Sequence, residues 1–236
     1  MRKLLYIPII HTESDLGSAG LTIGRISSSF YGAKRWDRHK TALYEFWQRV
    51  LDYVNTIDAN NLKVYQDGLL VDGELGRKII EEGARKGSKN YEIVLDLIKR
   101  GAGIRVTEDA ALLKEEYEHI SKVTHAESPA ERTAALNEYE LRKDPLTKER
   151  DKFVAKTINE TLGEGEVGIL FIGAHHDVLP HLAPDIVVKQ IKDQEKMRAY
   201  FKELMHEKNE ERFEQLARYI AAPIICAENA KGTSAG

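Results

Sequence analysis

The residues in this sequence best suited to chemistry are His175, His176 and Asp177, three consecutive ionisable side chains that follow the apolar run VGILFI at 167–172. Such groups at the end of a buried segment are costly to place unless they face solvent, pair with one another or hold a ligand. A second set lies near the start of the chain, where LLYIPII at 4–10 runs straight into His11, Thr12 and Glu13. Imidazoles and carboxylates brought together suit a divalent ion such as Zn²⁺, Mn²⁺ or Fe²⁺, with a position left open for water or substrate. The ion would acidify a bound water and polarise a carbonyl while a neighbouring acid such as Glu13 moved the proton. The chemistry expected is metal-assisted hydrolysis of a small-molecule or peptide substrate.

The elements that must position these groups are legible as changes of period. A wholly apolar run of six residues, bounded by the turn-forming GEGE and by Gly173, reads as a strand buried on both faces. Such strands belong to parallel sheets covered by helices, where ligands bind beyond the carboxyl ends. Residues 4–10 read the same way, with Pro8 near the end because it removes a ladder donor. Leu43, Phe46, Trp47, Val50, Leu51 and Val54 then recur at helical spacing, and residues 62–66 form a short strand closing on Asp67 and Gly68. A right-handed crossover makes the strands parallel and puts Asp67 on the same edge as His11. Glu74 opens a helix with Leu75, Ile79 and Ile80 inward. Ile93, Val94, Leu97 and Ile98 mark another helix, ended by Gly101, and residues 104–106 make a strand that ends in Glu108 and Asp109.

From 110 to 141 the chain is highly charged, with SPAER around Pro129 as a helix start, and reads as a solvated helical excursion or an oligomer contact. Asp144 and Pro145 read as the cap and first turn of a further helix bearing Phe153, Val154, Thr157, Ile158 and Leu162 on one face. The run APDIVV suggests a last strand. After it comes a long charged helix with Met197, Tyr200, Phe201, Leu204, Met205, Phe213, Leu216 and Ile220 at helical spacing. The expected architecture is α/β, with a mainly parallel central sheet flanked by helices. It forms one domain over 1–222, carrying a helical insertion at 110–145 and a mobile tail at 223–236.

Composition narrows the function. The 236 residues include 35 Lys and Arg against 38 Asp and Glu, a formal net charge of −3 with no basic block, so nucleic acid is not an expected partner. The one cysteine, Cys226, rules out a disulfide framework and a cysteine-based zinc site, and fits a reducing cytoplasm. No apolar run is long enough to span a bilayer, and His11, Glu13 and Asp15 interrupt the first one before a signal peptide could form. The glycine-rich stretch GSAGLTIGRISSSFYG contains neither GxGxxG nor a GK[ST] ending, so a phosphate-cradling loop is unsupported. His39, His119, His125 and His206 lie in charged stretches and read as solvated, while His181 reads as beside the site or on its rim.

The order of elements resembles the superfamily that joins TraB/PrgY proteins, the TIKI proteases, ChaN and the erythromycin esterases. Its members carry GxxH after the first strand, an acid after the second and another GxxH late in the chain. The late motif stands here as Gly173-Ala174-His175-His176. The early one departs to Pro8-Ile9-Ile10-His11, and Asp67 occupies the acid position where glutamate is usual. LIKRGAGIRVTED looks like the family's GA-containing strand, and KERDKFVAKTINETL looks like its Arg-bearing helix. The resemblance implies a metal site of His11, Asp67 and His176 with His175 beside it, assisted by Glu13, Asp177 and an Arg150 that projects toward the site. Because the relatives include a haem-binding protein as well as proposed metalloproteases and esterases, it also implies an alternative. A non-catalytic binding or regulatory protein could use the same edge for haem or a small metabolite. Ala174-His175-His176-Asp177 looks superficially like the AHPDD motif of LmbE-type deacetylases, but the proline and the second aspartate are missing and the motif comes late.

Overall fold

Each of the five apolar runs becomes a strand. The computed structural model describes residues 1–10, 32–205 and 209–224. In chain order these form β1 (Arg2–Ile9), α1 (Ala33–Val54), β2 (Lys63–Gln66), α2 (Gly73–Arg85), α3 (Lys89–Lys99) and β3 (Gly103–Arg105). There follow α4 (Ala110–Thr124), α5 (Pro129–Thr161), β4 (Val167–Gly173), β5 (Ile186–Gln190), α6 (Gln194–Met205) and α7 (Glu210–Ala221). The fold is α/β, and backbone packing divides it into two units: Met1–Ile9 with Ala59–Gln190, and Ile10–Asp58 with Ile191–Gly236.

The first unit holds the sheet, which is parallel throughout in the order β3-β2-β4-β1-β5. The two most apolar strands, β1 and β4, are central neighbours, and Ile9 stands opposite Gly173, so they end level. Pro8 lies beyond the pairing of β1 with β5, which stops at Tyr6 opposite Gln190, and its missing N–H falls near the strand end as expected. One face of the sheet, carrying Leu4, Tyr6, Tyr65, Leu170 and Ile172, is covered by Val154, Ala155, Ile158 and Leu162 from α5 and the turn after it. Burying each larger side chain of this kind stabilises the fold by about 1.5–3 kcal/mol.

Four expectations about the helices need correction, the first being that the long charged helix expected after the last strand is two helices, α6 and α7, the second with its own N-cap at Asn209. On α2 the buried residues are Gly76 and Ile80, while Leu75 and Ile79 are exposed. The reason is a close approach: a Cβ on Gly76 would stand 2.3 Å from the Val71 carbonyl oxygen and 2.9 Å from Ile104 Cδ1, so this face of α2 meets the chain with no side chain between. Asp144 and Pro145 do not start a helix. They lie inside α5, which runs 33 residues from an N-cap at Ser128, whose Oγ accepts the Glu131 N–H at 3.2 Å. Pro145 costs one backbone bond, but it sits on an exposed side, and Arg142 spans it by pairing with Glu149 at 2.8 Å as well as with Glu115 on α4 at 2.5 Å. The charged character expected of 110–141 is observed, since α4 has no buried residue.

The second unit contains α1, α6 and α7. The predicted stripe of α1 is buried at Leu43, Phe46, Trp47, Val50 and Val54. His39, expected to be solvated, is buried as well, because it lies four residues before Leu43 on that same face. Among the described residues no helix is long and apolar enough to cross a membrane.

Candidate functional site

Because every strand of the first unit runs the same way, the carboxyl ends of β2, β3 and β4 share one edge, and each delivers polar groups to it. Directly after β2, Asp67 donates its backbone N–H to Phe171 O at 2.9 Å. Its carboxylate accepts the Gly173 N–H at 2.9 Å, which fixes it against the end of β4. Past β3, Thr107 ties the two exits together: its hydroxyl donates to the Gln66 carbonyl and accepts the Leu69 N–H at 3.1 Å. Glu108 follows, 3% exposed. Asp109 turns the other way and caps α4, accepting the Ala111 and Leu112 N–H groups at 2.8 and 3.1 Å.

From α5 two successive side chains answer these groups. Arg150 grips Glu108 through both oxygens, Nε to Oε1 at 2.9 Å and Nη2 to Oε2 at 2.6 Å, and its Nη1 reaches Glu116 of α4 at 2.7 Å. Burial pushes the Glu108 carboxyl up, Arg150 pulls it back, and the charge of Asp67 adds to the upward push. For Arg150 burial acts downward but is outweighed by Glu108, so its pKa is raised and the guanidinium keeps its charge. The fork of two charge-assisted bonds is what offsets the burial of the carboxyl.

Asp151, 2% exposed, accepts from His176 Nδ1 at 2.6 Å through one oxygen and from the Asp177 N–H at 2.9 Å through the other. The turn is further fixed by the His176 N–H, which donates to Gly173 O at 3.0 Å. Burial acts to lower the His176 pKa, but the bond to Asp151 and the charges of Asp67 and Asp151 outweigh it, and the net direction is upward. With Nδ1 held by a carboxylate, Nε2 is the ring atom that would carry a proton or a ligand bond.

The edge thus brings together Asp67, Arg150 and His176 from the expected set, with Glu108 beside them. His175 and Asp177 are exposed on the same turn, and His181 is exposed beyond it. His11 and Glu13 lie outside the described residues, as does His206. Among the described residues no group of three or more His, Cys, Asp or Glu side chains is arranged to hold a metal ion. The residue that sequence reasoning missed is Asp151. Its signal was present: it stands three and seven residues before Val154 and Ile158, a carboxylate in the apolar stripe of α5.

Comparison with protein-family models, curated proteins and solved structures finds no match to this chain.

Proposed function

We propose that this edge is the site of a metal-dependent hydrolase, peptidase- or esterase-like. The observation that carries the reading is the buried carboxylate behind a histidine: Asp151 fixes the His176 ring through Nδ1, the arrangement that orients imidazole ligands in metal sites. Asp67, anchored by the Gly173 N–H and close enough for its charge to act on His176, is a second donor of the right chemistry, through oxygen. His11 is the third ligand in this reading and His175 a neighbouring one, with Glu13 and Asp177 as proton carriers. When bound, a Zn²⁺, Mn²⁺ or Fe²⁺ ion supplies a Lewis acid and an acidified water. The chain's own residues do the positioning. Asp151 holds the ring, the Gly173 N–H holds the Asp67 carboxylate, and Arg150 keeps Glu108 occupied so that it stays out of the donor set. The resemblance to the TraB/PrgY, TIKI, ChaN and erythromycin-esterase superfamily supports the same assignment.

Elemental analysis of protein purified without chelators tests this. Stoichiometric metal is expected in the wild type and loss of it in His176→Ala and Asp67→Ala, each with an unchanged circular dichroism spectrum. A metal-free wild type would refute the hydrolase reading and leave a binding protein that uses the same edge.

A further inference from the structure

The second unit carries a buried histidine that the proposed site does not use. His39 is 5% exposed, and its Nδ1 lies 2.9 Å from the Tyr200 hydroxyl of α6. Its ring has Trp36 at a centroid distance of 4.8 Å and Tyr200 at 5.8 Å, and Tyr200 stacks in turn on Phe213 of α7 at 5.4 Å. This column of rings joins all three helices.

The charges around it are unfavourable to another cation. On α1 stand Arg35, Arg38 and Lys40, with the Arg35 guanidinium 4.3 Å above the Phe213 ring. The carboxylates of these helices lie against cations: Glu210 on Arg35, Glu214 on Arg38 at 2.9 Å with Glu45 at 3.9 Å from the same guanidinium, Asp37 on Lys40 at 2.8 Å, and Glu203 of α6 on Arg212 at 3.1 Å through one oxygen, its other oxygen buried without a hydrogen bond among the described residues. Among the described residues the hydrogen bond of His39 is to a hydroxyl, which offers no counter-charge. Burial first, and the charge of Lys40 second, push the imidazole down to about 4.

We propose that His39 is an acid-responsive latch: its neutral ring holds α1, α6 and α7 together, and a proton on it parts them. A histidine released to water titrates near 6.5, so below that pH the open form binds a proton that the closed form refuses. Stability of the closed unit is complete above about 6.5 and is lost progressively as pH falls toward 4. Over the middle of that window the opening equilibrium rises by up to about tenfold per pH unit.

The test uses the full chain. Amide exchange in α1 and α7, corrected for intrinsic rates, is compared at pH 7 and pH 5 in wild type and His39→Gln, whose amide can still meet the Tyr200 hydroxyl but does not titrate. Opening is expected to rise about tenfold or more in the wild type, and several-fold less in the variant, which lacks the titrating ring while Arg38 holds the Glu214 carboxyl below its usual range. Equal acid responses would overturn the latch. Should the variant fail to fold, the wild type still decides: a His39 ring signal titrating near 6.5 in the folded protein refutes the proposal, and one titrating well below it supports it.

Discussion

Arg150→Ala is the most exacting test of the site's electrostatics. In the folded protein the Glu108 side chain is 2% exposed and Arg150 13% exposed, and the guanidinium forks onto both carboxylate oxygens at 2.9 and 2.6 Å. Removing Arg150 strands a buried carboxylate beside Asp67 and also cuts the link to Glu116. Breaking a buried pair from one side costs about 3–5 kcal/mol, a fall in Tm of roughly 6–20 °C for a chain of this length. The cost depends on pH in a definite direction. Burial already holds the Glu108 carboxyl above its usual range, and loss of Arg150 raises it further, so the folded variant binds the extra proton more readily than the wild type. The variant is then least stable above pH 7 and recovers toward pH 5. Urea unfolding followed by circular dichroism at pH 5 and 7.5 should be run on wild type, Arg150→Ala, Glu108→Gln and the double variant. The double variant should regain at least half of the Arg150→Ala loss, because the amide left behind carries no charge. A loss below about 1 kcal/mol for Arg150→Ala, or strict additivity in the double variant, would refute the buried-pair account.

Two further outcomes follow from single positions. Gly76→Ala should destabilise by about 1–3 kcal/mol, since the new methyl meets a backbone carbonyl at 2.3 Å; at an open helix position the same change would stabilise by about 1 kcal/mol, so a rise in Tm refutes the packing argument. Lys192, 5% exposed, donates to the Tyr219 and Ala222 carbonyls at 3.1 and 2.7 Å, and burial, followed by the charge of Arg49, pushes it down to about 8. The unfolded chain therefore holds more protons between about 8 and 10.4, and stability should rise with pH across that window by about 2 kcal/mol more in wild type than in Lys192→Met. Parallel stability profiles for the two proteins from pH 8 to pH 10 would show that the amine is solvated.

The sheet and its edge are legible in the sequence because they follow from one-dimensional rules. VGILFI at 167–172 has no polar residue to turn to solvent, so it reads as a doubly buried strand, and parallel crossovers then force Asp67, Glu108 and His176 onto one edge without any knowledge of contacts. Asp151 and His39 escape that reasoning for a shared reason. Each sits among charged neighbours in sequence, Arg150 and Lys152 for one and Arg38 and Lys40 for the other, and a charged neighbourhood suggests solvent. On a helix, however, sequence neighbours point about 100° apart, and the residues that share a face are three and four away. Asp151 shares its face with Val154 and Ile158, and His39 shares its own with Leu43 and Phe46. An ionisable residue in an apolar stripe is therefore the signal to weigh, because it must be met by a partner from another element or remain neutral. The same criterion picks out Glu203, three residues beyond Tyr200 on α6 and 1% exposed, which Arg212 of α7 meets at 3.1 Å. What sequence cannot supply is the partner: His176 and Tyr200 arrive from elements 25 and 161 positions away, and only the tertiary fold selects them. The stripe rule locates the buried ionisable group, and the fold decides whether that group becomes an orienting carboxylate, as in Asp151, or a latch held by an uncharged hydroxyl, as in His39.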